Sequence, residues 1–235
     1  MTNLIELNNI SAGYGDKEIL SNVTINIPQR GFLGVIGPNG GGKTTLLRVI
    51  LGMLKPTSGR KTFFRADGTP KEHINMGYLP QHTQIDRKFP LSVMEVLRSG
   101  LGWSFKDIFS TEKKVYNKRQ LDAVIERFHL EDVADCHISE LSGGQLQRVL
   151  IARALIAKPD VVILDEPNTY IDPHSQSRTY EMLKSVNDEC AVIVVGHDIE
   201  ALLRHAQTIV CLNHTAEQYD ANDIKREAID KCFVC

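Results

Sequence analysis

Phe32-Leu33-Gly34-Val35-Ile36-Gly37-Pro38-Asn39-Gly40-Gly41-Gly42-Lys43-Thr44 decides how this chain reads. The first five residues are an unbroken apolar run, the pattern of a strand buried on both faces of a parallel sheet. Leu46, Leu47, Ile50 and Leu51 then recur at helical spacing, and Gly52 and Pro56 supply stop signals. The glycine-rich stretch therefore lies between a buried strand and a helix, where the P-loop pattern has physical meaning. Glycines let the backbone wrap closely around a phosphate, and the helix N-terminus offers it unpaired N–H groups. Gly37, Pro38, Asn39, Gly40, Gly41 and Gly42 would form the cradle. Lys43 would reach the β- and γ-phosphates, Thr44 would offer a hydroxyl to Mg²⁺, and Thr45 closes the motif. Alone, the motif says only nucleoside triphosphate; a GTPase, a kinase or a motor would share it.

Working outward, Leu4–Tyr14 and Ile19–Ile27 alternate as strands, with Gly13 and Gly15 at the turn, and Met76–Leu79 reads as another strand. From about Pro90 to Ala157 the β-branched runs vanish. Ser92-Val93-Met94-Glu95 has capping-box spacing, and Leu121, Val124, Ile125 and Phe128 repeat as one helical face. After Pro159, strands at Val161–Leu164, Ala191–Val195 and Ile209–Leu212 alternate with a helix at Thr179–Asn187. Strands alternating with helices predict an α/β fold: a P-loop NTPase core with a mixed sheet, an antiparallel β-subdomain and an inserted α-helical subdomain. The expected division is about 1–81 and 158–235 for the core, with about 82–157 inserted. Nothing in the polar stretch after Asn213 suggests a role.

Two further motifs carry chemistry. Val161-Val162-Ile163-Leu164-Asp165-Glu166-Pro167 sets two carboxylates at the C-terminal end of a buried strand, the edge where ligands of open α/β sheets bind. Asp165 is placed to hold Mg²⁺, and Glu166 to polarise an attacking water; a helix cap followed by a turn proline is the plainer alternative. Leu141-Ser142-Gly143-Gly144-Gln145 opens a helix with capping-box spacing between Ser142 and Gln145. One P-loop and a second glycine-tipped helix invite a dimer, each nucleotide lying between one subunit's cradle and the other's glycine pair.

Composition narrows the rest. The 235 residues are 42% hydrophobic and 24% charged, with net charge −2, which gives no global case for a nucleic-acid partner. Lys113, Lys114, Lys118 and Arg119 read as a solvated helix face. Met1–Glu6 lacks the basic and apolar regions of a signal peptide, and no apolar run reaches the ~18–20 residues of a membrane helix. A soluble, cytosolic protein is expected. The five scattered cysteines do not form a disulfide framework, and Cys232-Phe233-Val234-Cys235 is half of what a structural zinc site needs.

With the motifs in this order, from Tyr14 to His197, the chain resembles the nucleotide-binding subunit of ATP-binding cassette (ABC) transporters, in which LSGGQ is the signature. The resemblance implies that Tyr14 stacks on adenine and that Gln81 touches Mg²⁺ and the attacking water. It also implies that His197 contacts the γ-phosphate and that Asp172 crosses the dimer interface. Read on its own, Tyr14 is a core or turn residue. Gly41 departs from the family's usual Ser or Ala, and Gly196 stands where Ser usually precedes the histidine; neither removes a catalytic group. The resemblance implies ATP and Mg²⁺ as ligands. As partners it implies a second copy of the chain, integral-membrane permease subunits and, indirectly, a substrate-binding protein. The expected location is the cytoplasmic face of the plasma membrane.

Gly77–Gln81, Asp86, Phe89–Val93 and Glu166–Asp172 are similar to the zinc and manganese importer branch, with zinc placed ahead of manganese. The siderophore, haem and cobalamin branch is the runner-up. Soluble cassette proteins carry a long coiled coil or two fused cassettes, neither of which is found here, and LSGGQ argues against a small-molecule kinase. His73, His82, His205 and His214 have no ligand spacing for the cargo.

Overall fold

The computed structural model describes residues 2–81, 90–102, 111–167 and 173–233. The apolar runs become the centre of a six-stranded sheet. Its strands are β3 (Phe32–Ile36), β6 (Met76–Leu79), β7 (Val161–Asp165), β8 (Ala191–Val195), β9 (Thr208–Asn213) and β10 (Thr215–Asp220). They lie in the order β10-β9-β3-β8-β7-β6, parallel except for the antiparallel β9–β10 pair. The order reverses around β3, so the loop after β3 opens at a switch point of the sheet, the place such folds bind ligands.

Every residue of β3, β7 and β8 is buried, yet the alternation survives as a division between two cores. Val162, Leu164, Val192 and Val194 face one core, while Val161, Ile163, Ile193 and Val195 face the other. The second core is closed by β1 (Asn3–Tyr14), β2 (Lys17–Pro28) and α1 (Lys43–Ile50). β1 and β2 join β4 (Ser58–Phe64) and β5 (Pro70–Lys71) in an antiparallel sheet of order β2-β1-β4-β5. The Gln218 side chain stitches the sheets together: its Oε1 accepts from the Asn26 N–H at 2.9 Å and its Nε2 donates to the Asn26 carbonyl at 2.8 Å.

The first core lies beneath α2 (Val93–Ser99), α3 (Thr111–Arg127), α4 (Gly143–Leu155), α5 (Pro173–Asn187), α6 (Ile199–His205) and α7 (Arg226–Phe233). α2 starts at the capping box that the sequence announces, with Glu95 N–H donating to Ser92 Oγ and Ser92 N–H to Glu95 Oε2. α4 crosses β6 so closely that a Cβ on Gly77 would meet the Ala154 carbonyl oxygen at 2.1 Å. Only glycine permits that approach.

The end of the chain needs a correction. The stretch after Asn213, assigned no role from sequence, forms β10 and α7 and buttresses the P-loop. At the β9–β10 turn the His214 N–H donates to the Gly41 carbonyl at 2.9 Å, and the Ser21 N–H to the His214 carbonyl at 2.8 Å.

Candidate functional site

The glycine-rich loop leaves β3 and enters α1. Gly37 has φ 153°, and a Cβ there would sit 1.9 Å from the Leu212 carbonyl oxygen, so no other residue fits. Gly42, with φ 100°, is the N-cap of α1. It has no side chain to satisfy the first-turn N–H groups, and no acidic residue stands in that turn. The helix start is thus left open to an anion. Lys43 is buried and its Nζ donates to the carbonyls of Gly37 at 2.8 Å and Pro38 at 2.9 Å. Burial lowers the Lys43 pKa, opposed by the carboxylates of Glu166 and Asp165. A buried ammonium held among carbonyls is poised to exchange those partners for phosphate oxygens. Asn39, Gly40 and Thr44 are exposed, and Thr45 is buried under the loop.

Three side chains from separate strand ends meet beside the cradle. Glu166 follows β7, Gln81 follows β6 and His197 follows β8. Gln81 Nε2 donates to Glu166 Oε2 at 2.6 Å, and His197 Nε2 lies 2.5 Å from Glu166 Oε1. The Glu166 backbone has φ 49°, unusual for a residue with a Cβ, and its N–H is fixed to the Val195 carbonyl at 2.8 Å. This conformation turns the carboxylate away from the strand line and into a cavity of about 200 Å³ lined by Pro167, Gln176, Tyr180, Gly196, His197 and Asp198. Asp165, the last residue of β7, is 3% exposed. The hydroxyl of Thr44, the carboxylate of Asp165 and the amide oxygen of Gln81 are hard oxygen donors, the set that suits Mg²⁺ rather than a thiophilic metal.

Tyr14 ends β1 at the turn into β2 and is 45% exposed, so of the core-or-turn reading the turn holds and the core does not. Its hydroxyl accepts from Arg48 Nη1 at 2.8 Å, and the guanidinium lies 5.8 Å from the ring centroid. The ring is therefore tethered to α1, one face of the helix below and open water beyond. Sequence reading passed over Arg48; its place five residues past Lys43, on the exposed side of α1, was the available signal.

Ser142 caps α4 as its spacing predicts. Its Oγ accepts from the Gln145 N–H at 3.3 Å, and Gln145 Oε1 accepts from the Ser142 N–H at 2.9 Å. Ser142, Gly144 and Gln145 line a cavity of about 130 Å³ with Arg148, Arg178, Thr179 and Met182. None of its lining residues belongs to the glycine-rich loop. The two guanidiniums were missed from sequence because Arg178 lies on a different helix, far along the chain. Gly143 takes the first position of α4. Asp172 lies outside the described residues.

A strand–loop–helix phosphate cradle, a carboxylate gripped by glutamine and histidine, and a glycine-tipped helix point to one family. Its model, ABC transporter, matches residues 20–169. The chain belongs to the ABC transporter family. It is 39% identical over 225 residues to a probable metal transport system ATP-binding protein of Chlamydia pneumoniae, covering 92% of this chain and 88% of that protein. It is 35% identical over 212 residues to the zinc import ATP-binding protein ZnuC of Hydrogenovibrio crunogenus, covering 89% and 79%. Among solved structures, the ATP-binding cassette MJ0796, a dimer in a post-hydrolysis state bound to ADP and Pi, is 26% identical with TM-score 0.72. That likeness covers 94% of this chain and 100% of the other. The ABC cassette described here is thus an ATP-binding, ATP-hydrolysing protein of α/β fold.

Proposed function

We propose that this cassette is the motor of a divalent-metal importer, with zinc ahead of manganese as cargo. The observation that carries the motor is the convergence of Gln81 and His197 on Glu166 beside the glycine cradle. The names of the relatives at 39% and 35% identity support the cargo. In this reading residues 1–81 and 158–235 form the catalytic core and residues 82–157 the helical subdomain that meets the permease.

Gly37–Thr45 wrap the ATP phosphates, Lys43 exchanges its two carbonyl partners for phosphate oxygens, and the ring of Tyr14 holds the adenine. Thr44, Asp165 and Gln81 would hold Mg²⁺. Bound there, the ion would supply positive charge to the phosphate oxygens. Glu166 orients a water for in-line attack and accepts its proton, while His197 and Lys43 stabilise charge on the transferred group. Ser142, Gly143, Gly144 and Gln145 of a second copy close over the same ATP, with Asp172 crossing between the copies. Closure is favoured because ATP binds the joined state more tightly than the open one. Among the described residues no helix is long and apolar enough to cross a membrane. In this reading the cassette works at the cytoplasmic face of the plasma membrane on separate permease subunits, which receive metal from a substrate-binding protein.

The test is uptake of radioactive zinc into vesicles that hold the permease with this chain supplied with ATP. ATP-dependent uptake that Lys43→Ala abolishes supports the reading. Steady ATP hydrolysis with no movement of zinc or manganese would overturn the cargo and leave the motor standing.

A further inference from the structure

The C-terminal segment brings two thiols together behind the P-loop. Cys211 lies in β9, directly across the parallel ladder from Ile36, the residue before Gly37. Cys232 comes from α7, and its thiol donates to the Ile36 carbonyl at 3.8 Å. Both thiols therefore lie against Ile36, at the head of the P-loop. Both are buried, at 6% and 8% exposure. Their chain neighbours differ: Leu212 beside Cys211 is in the core, whereas Lys231 and Phe233 beside Cys232 are exposed.

We propose that Cys211 and Cys232 are a disulfide-forming pair, with Cys232 the attacking thiol and Cys211 the resolving one. The neighbouring Cys211 thiol, the Leu212 N–H and the nearby Lys43 ammonium hold the Cys232 thiol below its ordinary range, against the effect of burial. The same contact with Cys232, then burial, pushes Cys211 up. At rest the Cys232 thiol keeps its proton on the Ile36 carbonyl, and its surroundings ease the loss of that proton while those of Cys211 oppose it. Cys232 is also the more reachable thiol, because α7 buries that residue alone whereas β9 is buried along its middle, so the helix opens at lower cost.

The oxidant is a small aliphatic disulfide. The Cys232 thiolate attacks one of its sulfurs, forming a mixed disulfide and expelling one thiolate. Cys211 then loses its proton and attacks the Cys232 sulfur, expelling the second thiolate. Two protein thiols are oxidised and one small disulfide is reduced to two thiols. The bond closes a loop over residues 212–231, which carries β10 and the His214 that donates to Gly41. Oxidation thus braces the segment that holds the P-loop.

The experiment uses the full chain, reduced and then exposed to glutathione disulfide, with peptide mapping under non-reducing conditions. The expected product links Cys211 to Cys232, is lighter by two hydrogens, and melts roughly 5–10 °C higher until dithiothreitol reverses it. Cys211→Ala is expected to stop at a glutathione adduct on Cys232. Cys232→Ala is expected to leave Cys211 unreacted. Cys235→Ser removes the sequence-adjacent competitor and is expected to leave the link intact. A Cys232–Cys235 bond, reaction of Cys211 without Cys232, or no link in the folded Cys235→Ser chain would each overturn the proposal.

Discussion

Glu166→Gln separates chemistry from structure at the centre of the site. In the native chain each carboxylate oxygen has its own partner, Gln81 Nε2 at 2.6 Å and His197 Nε2 at 2.5 Å. A glutamine amide keeps one acceptor oxygen and replaces the other with a donor. With its oxygen toward Gln81, the new NH₂ meets His197, whose neutral imidazole accepts at Nε2 once its proton moves to Nδ1. At most one charge-assisted hydrogen bond is lost, about 1.5–3 kcal/mol. The backbone anchor from the Glu166 N–H to the Val195 carbonyl is untouched. The fold should hold. The reaction should not: an amide cannot accept the proton of the attacking water. Loss of a positioned general base costs roughly 10²–10⁴-fold, or about 2.7–5.5 kcal/mol at the barrier. The assay is phosphate release at saturating MgATP, with thermal melting as the control. A variant that melts near the native temperature and hydrolyses ATP at least about a hundredfold more slowly fits the reasoning. Turnover within about threefold of native, against the general-base range, would refute it.

Lys61 of β4 donates to the Val49 and Ile50 carbonyls at 2.7 and 2.9 Å, capping the C-terminus of the P-loop helix. Lys61→Met should cost about 1–3 kcal/mol in urea unfolding, and no measurable loss would contradict that capping role. Burial also lowers the Lys61 pKa, so between that lowered value and 10.5 the unfolded chain binds more protons than the native one. Stability contributed at this site therefore rises with pH through that window, and Lys61→Met should flatten the rise; identical pH slopes would count against it. Ser142→Ala removes the acceptor for the Gln145 N–H and should destabilise the chain by about 0.5–2 kcal/mol. It should also weaken ATP-driven pairing, and full stability in urea would show that the cap contributes nothing.

The central strands were legible because burial on both faces leaves an uninterrupted apolar run, as in Phe32–Ile36 and Ala191–Val195, whose ends the sequence located to the residue. Capping boxes at Ser92 and Ser142 were legible because their chemistry is local. β4 was not located, since Ser58-Gly59-Arg60-Lys61-Thr62 is polar and its strand state comes from pairing with β1. β10 was hidden for the same reason: Thr215–Asp220 is an exposed edge held by β9 and by Gln218. The site divides along similar lines. Gln81, Glu166 and His197 each follow a recognisable strand, but their convergence on one carboxylate depends on strand order, which no local pattern encodes. Arg48, Arg178 and the Cys211–Cys232 pair owe their positions to contacts between distant segments.

ATP-dependent pairing of two chains tests the account most directly. Light scattering on Glu166→Gln, with and without MgATP, reads it. A monomer without nucleotide that becomes a dimer holding two ATP molecules, and fails to do so when Ser142→Arg blocks the signature helix, is the expected result. A chain that binds ATP yet stays monomeric, alone and with its permease, would contradict it.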